Sequence, residues 1–170
     1  GGPYVPVKRE RDDPRIEDKV SAIFKSVDDI EYYREVMLSV PLGKPVWSYW
    51  VTSRYGTRSD PFKKTKARHK GVDLASRTGN KVNVKGQGKV IRAEYAGAYG
   101  NLVVVDHGNG FQTKYAHLNK IYVKKGDRLE INDTVGEVGS TGRSTGPHLH
   151  YEVLYKGVNV DPLPFLKAKI

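Results

Sequence analysis

The chain contains no cysteine among its 170 residues and has no long apolar run. Without cysteine there are no disulfide bonds, and any metal site must use nitrogen and oxygen ligands. No stretch approaches the roughly 18 consecutive apolar residues of a transmembrane helix, so we expect no membrane-spanning segment. The opening Gly1 and Gly2 are typical of a cloning remnant, which leaves room for a signal or anchor in a longer natural protein.

Acidic residues are scarce after residue 46, where 10 of them stand against 21 lysines and arginines. The net charge is therefore +11 for residues 47–170 and −1 for residues 1–46. So basic a domain favours a polyanionic partner, either nucleic acid or an acidic polymer such as cell wall. A basic surface that only keeps the protein soluble is an equal alternative on charge alone.

The region before residue 46 has a helical pattern. We expect residues 1–12 to be a flexible terminus and residues 13–45 to be a helical extension packed against the main domain. Asp13 is a suitable helix cap and Pro14 suits the first helical position. Ser26 with Asp29 predicts the start of a second helix. The apolar positions expected to form the buried sides are Ile16, Val20, Ile23, Phe24 and Val27, then Ile30, Tyr33, Met37 and Val40.

From residue 46 onward the apolar residues alternate with a period of two. Short runs at 89–93, 102–106 and 111–116 are bounded by Gly, Asn and Asp, and residues 107–110 predict a hairpin turn. The pattern predicts a mainly β (α+β) fold, with an antiparallel sheet core in a domain over residues 46–170. The side chains expected in the core are Leu149, Val153, Val103 and Val105.

Histidines provide the candidate chemistry. His148 and His150 lie in one predicted strand, where alternation places both side chains on the same face. A surface strand with two incidental histidines would show the same spacing. His69 and Asp73 form a second candidate pair, with Gly71 permitting a bend between them. Together with His150, they would supply two imidazoles and one carboxylate, leaving an open fourth position as in catalytic zinc sites.

Two further histidines differ in their surroundings. His117 falls at the end of a predicted strand, where its side chain can reach over a cleft. His107 lies in the predicted hairpin turn, and we expect it to be solvated and without a functional role.

Three ordered motifs make the chain resemble the lysostaphin/LytM-type zinc endopeptidases, which are peptidoglycan hydrolases. The similarity extends over about residues 50–166, and the helical extension lies outside it. Tyr151 stands where that family usually has Phe, and Asn132 replaces a commoner turn Gly. The matching segments are residues 69–75, 115–118 and 139–152, with 52–58, 99–101 and 161–166 in support.

The resemblance implies a sheet that forms a groove around one zinc ion per chain. It implies that His69, Asp73 and His150 ligate the zinc, and that His117 and His148 are the catalytic pair, with their division of roles left open. The implied reaction is hydrolysis of peptidoglycan peptides in the cell envelope, periplasmic or extracellular, with the bond cleaved left open. Candidate substrate contacts, for which ordinary turn and surface roles are an equal alternative, are Asn101, Lys114 and Arg143.

Two other functions compete with this interpretation. A catalytically silent LytM-like module would bind peptidoglycan or activate another hydrolase, but such modules typically lack one or more of the site residues. Nucleic-acid binding would explain the basic charge, but no helix-turn-helix, zinc-finger or RNA-recognition motif supports it, and we expect no nucleic-acid partner.

Overall fold

The computed structural model describes residues 14–59 and 66–168 of the chain. The predicted flexible terminus, the cap at Asp13 and the remnant at Gly1 and Gly2 lie outside the described residues. The chain divides into two compact units, Gly1–Glu35 and Val36–Ile170. No helix among the described residues is both long and apolar enough to cross a membrane.

The predicted helical extension is one continuous helix, α1 (Pro14–Ser39). A second helix start at Ser26 is wrong, because its hydroxyl donates to the carbonyl of Ala22 one turn earlier and caps nothing. The expected buried sides are also wrong, since only Val40, just beyond the helix, is half-buried. The other predicted side chains are 44% to 69% exposed: Ile16, Val20, Ile23, Phe24, Val27, Ile30, Tyr33 and Met37.

The second unit is built from short antiparallel strands, as the period-two pattern predicts. They are β1 (Trp50–Ser53), β2 (Gly56–Ser59), β3 (Lys66–His69), β4 (Val72–Ala75), β5 (Lys81–Asn83), β6 (Gly88–Tyr95), β7 (Asn101–Gly108), β8 (Phe111–Leu118), β9 (Lys120–Ile121), β10 (Arg128–Leu129), β11 (Thr134–Glu137), β12 (His148–Tyr155) and β13 (Val158–Val160). A 3-10 turn (Gly97–Tyr99) lies between β6 and β7, and a short helix α2 (Leu163–Lys167) follows β13.

The main sheet has the strand order β1-β4-β12-β8-β7-β6-β10, with β13 pairing beside β12. Two smaller sheets, β5-β11-β9 and β2-β3, accompany it. The predicted hairpin joins β7 to β8, and Gly108, Asn109 and Gly110 all have the positive φ angles that such turns use.

The two faces of the main sheet carry different side chains. One face contributes to a closely packed core, and the predicted core residues Leu149, Val153, Val103 and Val105 are fully buried in it. Strand alternation turns the neighbouring residues of β12 to the opposite face. That face, called here the site face, holds His148, His150 and Glu152.

Candidate metal centre

The sheet register brings the predicted ligands together. Asp73 on β4 lies directly opposite His150 on β12. His69 ends β3, and the chain turns through Gly71 to enter β4. A Cβ on Gly71 would lie 2.3 Å from the backbone oxygen of Tyr151, so only glycine allows this close approach.

Three donor atoms converge between these strands. The Nε2 atom of His69 lies 3.1 Å from Oδ1 of Asp73 and 3.1 Å from Nδ1 of His150, and that Nδ1 lies 2.7 Å from the same carboxylate oxygen. Ligands about 2.0–2.1 Å from a tetrahedral zinc ion are separated by roughly 3.3 Å, close to these spacings. His69, Asp73 and His150 can therefore hold one metal ion together.

In each ligand imidazole, the inner nitrogen faces the cluster and the outer nitrogen faces away from it. The outer nitrogen of each ring is hydrogen-bonded to an acceptor. His69 donates from Nδ1 to the carbonyl of Arg54 at 2.8 Å, and His150 donates from Nε2 to Oε1 of Glu152 at 3.1 Å. These bonds leave a lone pair on each inner nitrogen. The centre thus brings together three atoms with lone pairs, two imidazole nitrogens and one carboxylate oxygen. This set of ligand atoms fits zinc.

Glu152 supports His150 from the interior, a role that the sequence analysis missed. Its side chain is fully buried and is held by Tyr99 Oη at 2.9 Å, Asn159 Nδ2 at 2.8 Å and Lys114 Nζ at 3.0 Å. Burial alone would raise the pKa of this carboxyl, but its bonds to His150 and Asn159 and the charge of Lys114 lower it to about 2. The alternation from His148 through His150 was the available signal, because it places Glu152 on the site face as well.

Two more histidines stand beside the ligands. His117 donates from Nδ1 to the carbonyl of Thr141 at 2.8 Å, and His148 donates from Nδ1 to that of Gly146 at 2.7 Å. Their ring centroids are 4.8 Å apart. Nε2 of His148 lies 3.8 Å from Oδ1 of Asp73. Each ring therefore keeps its Nε2 atom for another partner next to the ligand cluster.

The loop after β11 holds His117 in an uncommon conformation. Its φ angle is 61°, in the left-handed region that a non-glycine residue rarely adopts. Besides accepting from His117, Thr141 donates its hydroxyl to the carbonyl of Leu118 at 2.8 Å. The backbone N–H of Asn101 donates to that hydroxyl at 3.0 Å. Burial lowers the pKa of His117 to about 4, so the imidazole is neutral at pH 7.

The three candidate substrate contacts are placed differently. Lys114 is engaged by Glu152, and Asn101 donates its side-chain amide to the carbonyl of Leu118 at 2.9 Å. Arg143 is exposed, and its backbone N–H anchors the loop to the carbonyl of Ala98. These contacts favour structural roles for Lys114 and Asn101.

His107 is not solvated, contrary to the prediction. It is 5% exposed, with Nδ1 donating to the carbonyl of Gln87 at 2.9 Å and Nε2 lying 2.8 Å from the hydroxyl of Thr113. The hairpin turn begins at Asn109, two residues later, so His107 still belongs to β7 and its side chain points into the protein.

Comparison with known proteins gives consistent matches. The family model of Peptidase family M23 matches residues 67–162. The peptidoglycan DD-endopeptidase ShyA of Vibrio cholerae is 41% identical over 128 residues, which cover 74% of this chain and 29% of ShyA. The chain spans less than a third of the length of ShyA and of other curated relatives that it matches.

Solved structures share the fold. A zinc-containing peptidase from Vibrio cholerae has a TM-score of 0.65 and 36% identity, covering 78% of this chain and 40% of that one. The catalytic domain of the antimicrobial peptidase lysostaphin from Staphylococcus simulans also has a TM-score of 0.65, with 32% identity, and covers 71% of this chain and 93% of that domain.

Proposed function

Because this chain belongs to peptidase family M23, we propose that it is a zinc-dependent endopeptidase that hydrolyses peptide crosslinks or stem peptides of bacterial peptidoglycan. The observation that carries the proposal is the convergence of two imidazole nitrogens and one carboxylate oxygen beside two further histidines. ShyA, named as a peptidoglycan DD-endopeptidase, supports the substrate class. The same relationship supports a location in the bacterial cell envelope.

We assign His69, Asp73 and His150 as the ligands of one zinc ion. A bound zinc acts as a Lewis acid, which polarises a carbonyl group and makes a nearby water more acidic. Arg54 and Glu152 keep the two imidazoles in the tautomers that offer lone pairs to the metal.

We assign proton transfer to His117 and His148. Each ring donates from Nδ1 to a backbone carbonyl, so its Nε2 atom carries a lone pair when the ring is neutral. One of these nitrogens takes a proton from the attacking water, whose oxygen bonds to the peptide carbonyl carbon. When the C–N bond breaks, an imidazolium returns a proton to the leaving amine nitrogen. The rigid carbonyl contacts hold both rings in place for these transfers.

Digestion of purified sacculi tests the proposed activity. Zinc-loaded protein is incubated with sacculi that contain either direct D-alanyl–diaminopimelate crosslinks or glycine bridges, and the fragments are identified by mass spectrometry. New amino and carboxyl termini within the peptides support the proposal and identify the bond. Intact sacculi of both kinds, with zinc bound to the protein, contradict it.

A silent peptidoglycan-binding module is the alternative. The presence of all five histidine and aspartate site residues argues against it, because a binding module has no need of two free imidazole nitrogens beside a metal. Binding to sacculi without any cleavage product, or protein that takes up no zinc, would favour the module over the enzyme.

A further inference from the structure

A row of three side chains crosses the site face from the sheet edge to a proposed catalytic histidine. Trp50 on β1 lies opposite Ala75 on β4, and Ala75 lies opposite His148 on β12. Directly opposed residues in antiparallel strands carry their side chains on the same face. The row therefore stands on the face that also carries Asp73 and His150.

The middle residue of this row has a much smaller side chain than the residues on either side of it. Ala75 contributes only a methyl group and is half-buried. Because neighbouring strands are about 4.8 Å apart, the backbones of Trp50 and His148 are separated by about 10 Å. The result is a trough with Ala75 as its floor, the indole of Trp50 on one side and the imidazole of His148 on the other.

The indole of Trp50 is 67% exposed on this face. Its neighbour Val51 lies opposite the fully buried Leu74 on the core face. Strand alternation turns Val51, itself 38% exposed, to the opposite face and leaves the tryptophan beside the trough. An indole ring offers a large, rigid apolar surface and loses little conformational entropy when it is covered.

We propose that Trp50 is a specificity-determining residue that forms the groove wall opposite His148 and packs against the aliphatic part of a substrate peptide residue. The inference rests on the proposed peptidase function. An extended chain advances about 3.3 Å per residue, so a residue whose backbone lies about 10 Å from that of His148 can contact a substrate residue within about three positions of the cleaved bond. The partner is accordingly the peptide and not the glycan strand.

Steady-state kinetics on a soluble crosslinked peptide free of glycan test this role. For Trp50→Ala we expect KM to rise about tenfold with kcat changed less than twofold, because the contact binds ground state and transition state alike. Trp50→Phe should recover most of the loss. Trp47→Ala is the matched control, since Trp47 is 95% exposed and lies before β1, and its KM should match wild type. Zinc content and melting temperature should not change in any of the three.

Intrinsic fluorescence supplies a second measurement, because the chain has only two tryptophans. A Trp47→Phe, His148→Ala double variant leaves Trp50 as the sole tryptophan and is expected not to cleave the peptide. Its emission should shift to shorter wavelength as the peptide is added up to about 1 mM, the upper end of common KM values.

An unchanged KM in Trp50→Ala, or an emission that responds only to glycan strands without peptide, overturns the inference while leaving the proposed function intact. A wild-type protein that cleaves no crosslinked peptide overturns the proposed function instead. In that case the titration alone decides: an emission shift with peptide supports the contact, and no shift overturns it.

Discussion

Two buried histidine sites in the β domain are built from the same side chain and function differently. His150 and His107 are 7% and 5% exposed, and both make contacts through both ring nitrogens. At His107 the partners are a backbone carbonyl and the hydroxyl of Thr113, which can donate or accept. At His150 one nitrogen meets Glu152, and the other meets the Asp73 carboxylate next to His69.

The difference lies in the balance of donors and acceptors. The hydroxyl of Thr113 lies 2.8 Å from Nε2 of His107 and 3.1 Å from the hydroxyl of Tyr115, so the second nitrogen of His107 has a neutral partner that can supply a proton. The ligand cluster brings three acceptors together, an arrangement that a cation stabilises. Burial of a histidine therefore does not distinguish a metal ligand from a structural residue. The type of partner at its second ring nitrogen does distinguish them.

The largest expected effect is at His150. His150→Ala should abolish stoichiometric zinc binding and lower activity by at least about 10³-fold, because it removes the proposed ligand that Glu152 orients. Zinc is measured by elemental analysis and activity by release of peptides from sacculi. As the control from the second histidine site, His107→Gln should keep its zinc; zinc loss in that variant would erase the distinction between the two sites.

A variant of His148 separates zinc binding from catalysis. His148→Ala should keep zinc near one ion per chain while activity falls by about 10²–10⁴-fold, the range typical of a lost general acid or base. Elemental analysis and the sacculus assay on one preparation separate the two quantities. Loss of zinc in proportion to activity would make His148 a ligand and overturn its assignment.

Glu152 gives a smaller effect because it acts through His150. Glu152→Gln should weaken zinc binding by about 10–100-fold, as expected when a ligand histidine loses a carboxylate partner, while nearly preserving volume. Competition with a chromophoric chelator measures the affinity. An affinity equal to that of wild type would mean that His150 needs no charged partner.

The smallest effect is at His107 and concerns stability. At pH 7, His107→Gln should lower the free energy of unfolding by about 1–3 kcal/mol through loss of buried hydrogen bonds, with little change in activity. Burial lowers the pKa of His107 below its usual value, despite hydrogen bonds to the carbonyls of Gln87 and Gly86 that raise it.

The lowered pKa of His107 also predicts how the stabilities of wild type and His107→Gln respond to acid. Below about pH 6.5 the unfolded chain binds more protons at His107 than the folded chain, so the contribution of this residue is complete above that pH and lost as the pH falls toward the folded-state pKa. Urea denaturation should therefore show the advantage of wild type over His107→Gln shrinking from pH 7 to pH 5. A constant difference would mean that His107 takes up its proton equally in both states.

Local patterns were sufficient for much of the fold. Alternation identified the β domain and placed Leu149 and Val153 in its core, and Pro14 marked the first residue of α1. The same reasoning failed where a distant partner decides. An apolar stripe predicts a buried helix face, yet Ile23 and Ile30 are more than 60% exposed, because periodicity shows which residues share a face and not what covers it.

The metal centre shows the same division at atomic scale. Residue types and spacing are properties of the sequence, and they offered His69, Asp73 and His150 as a candidate ligand set. The family resemblance then assigned the ligand role to His150 and not to His148. The nitrogen that each imidazole turns inward depends on contacts remote in sequence: Nδ1 of His69 meets Arg54, 15 residues away, and Nδ1 of His117 meets Thr141, 24 residues away. Only the folded sheet brings those carbonyls to the rings, so tautomers and buried partners were decided by tertiary structure.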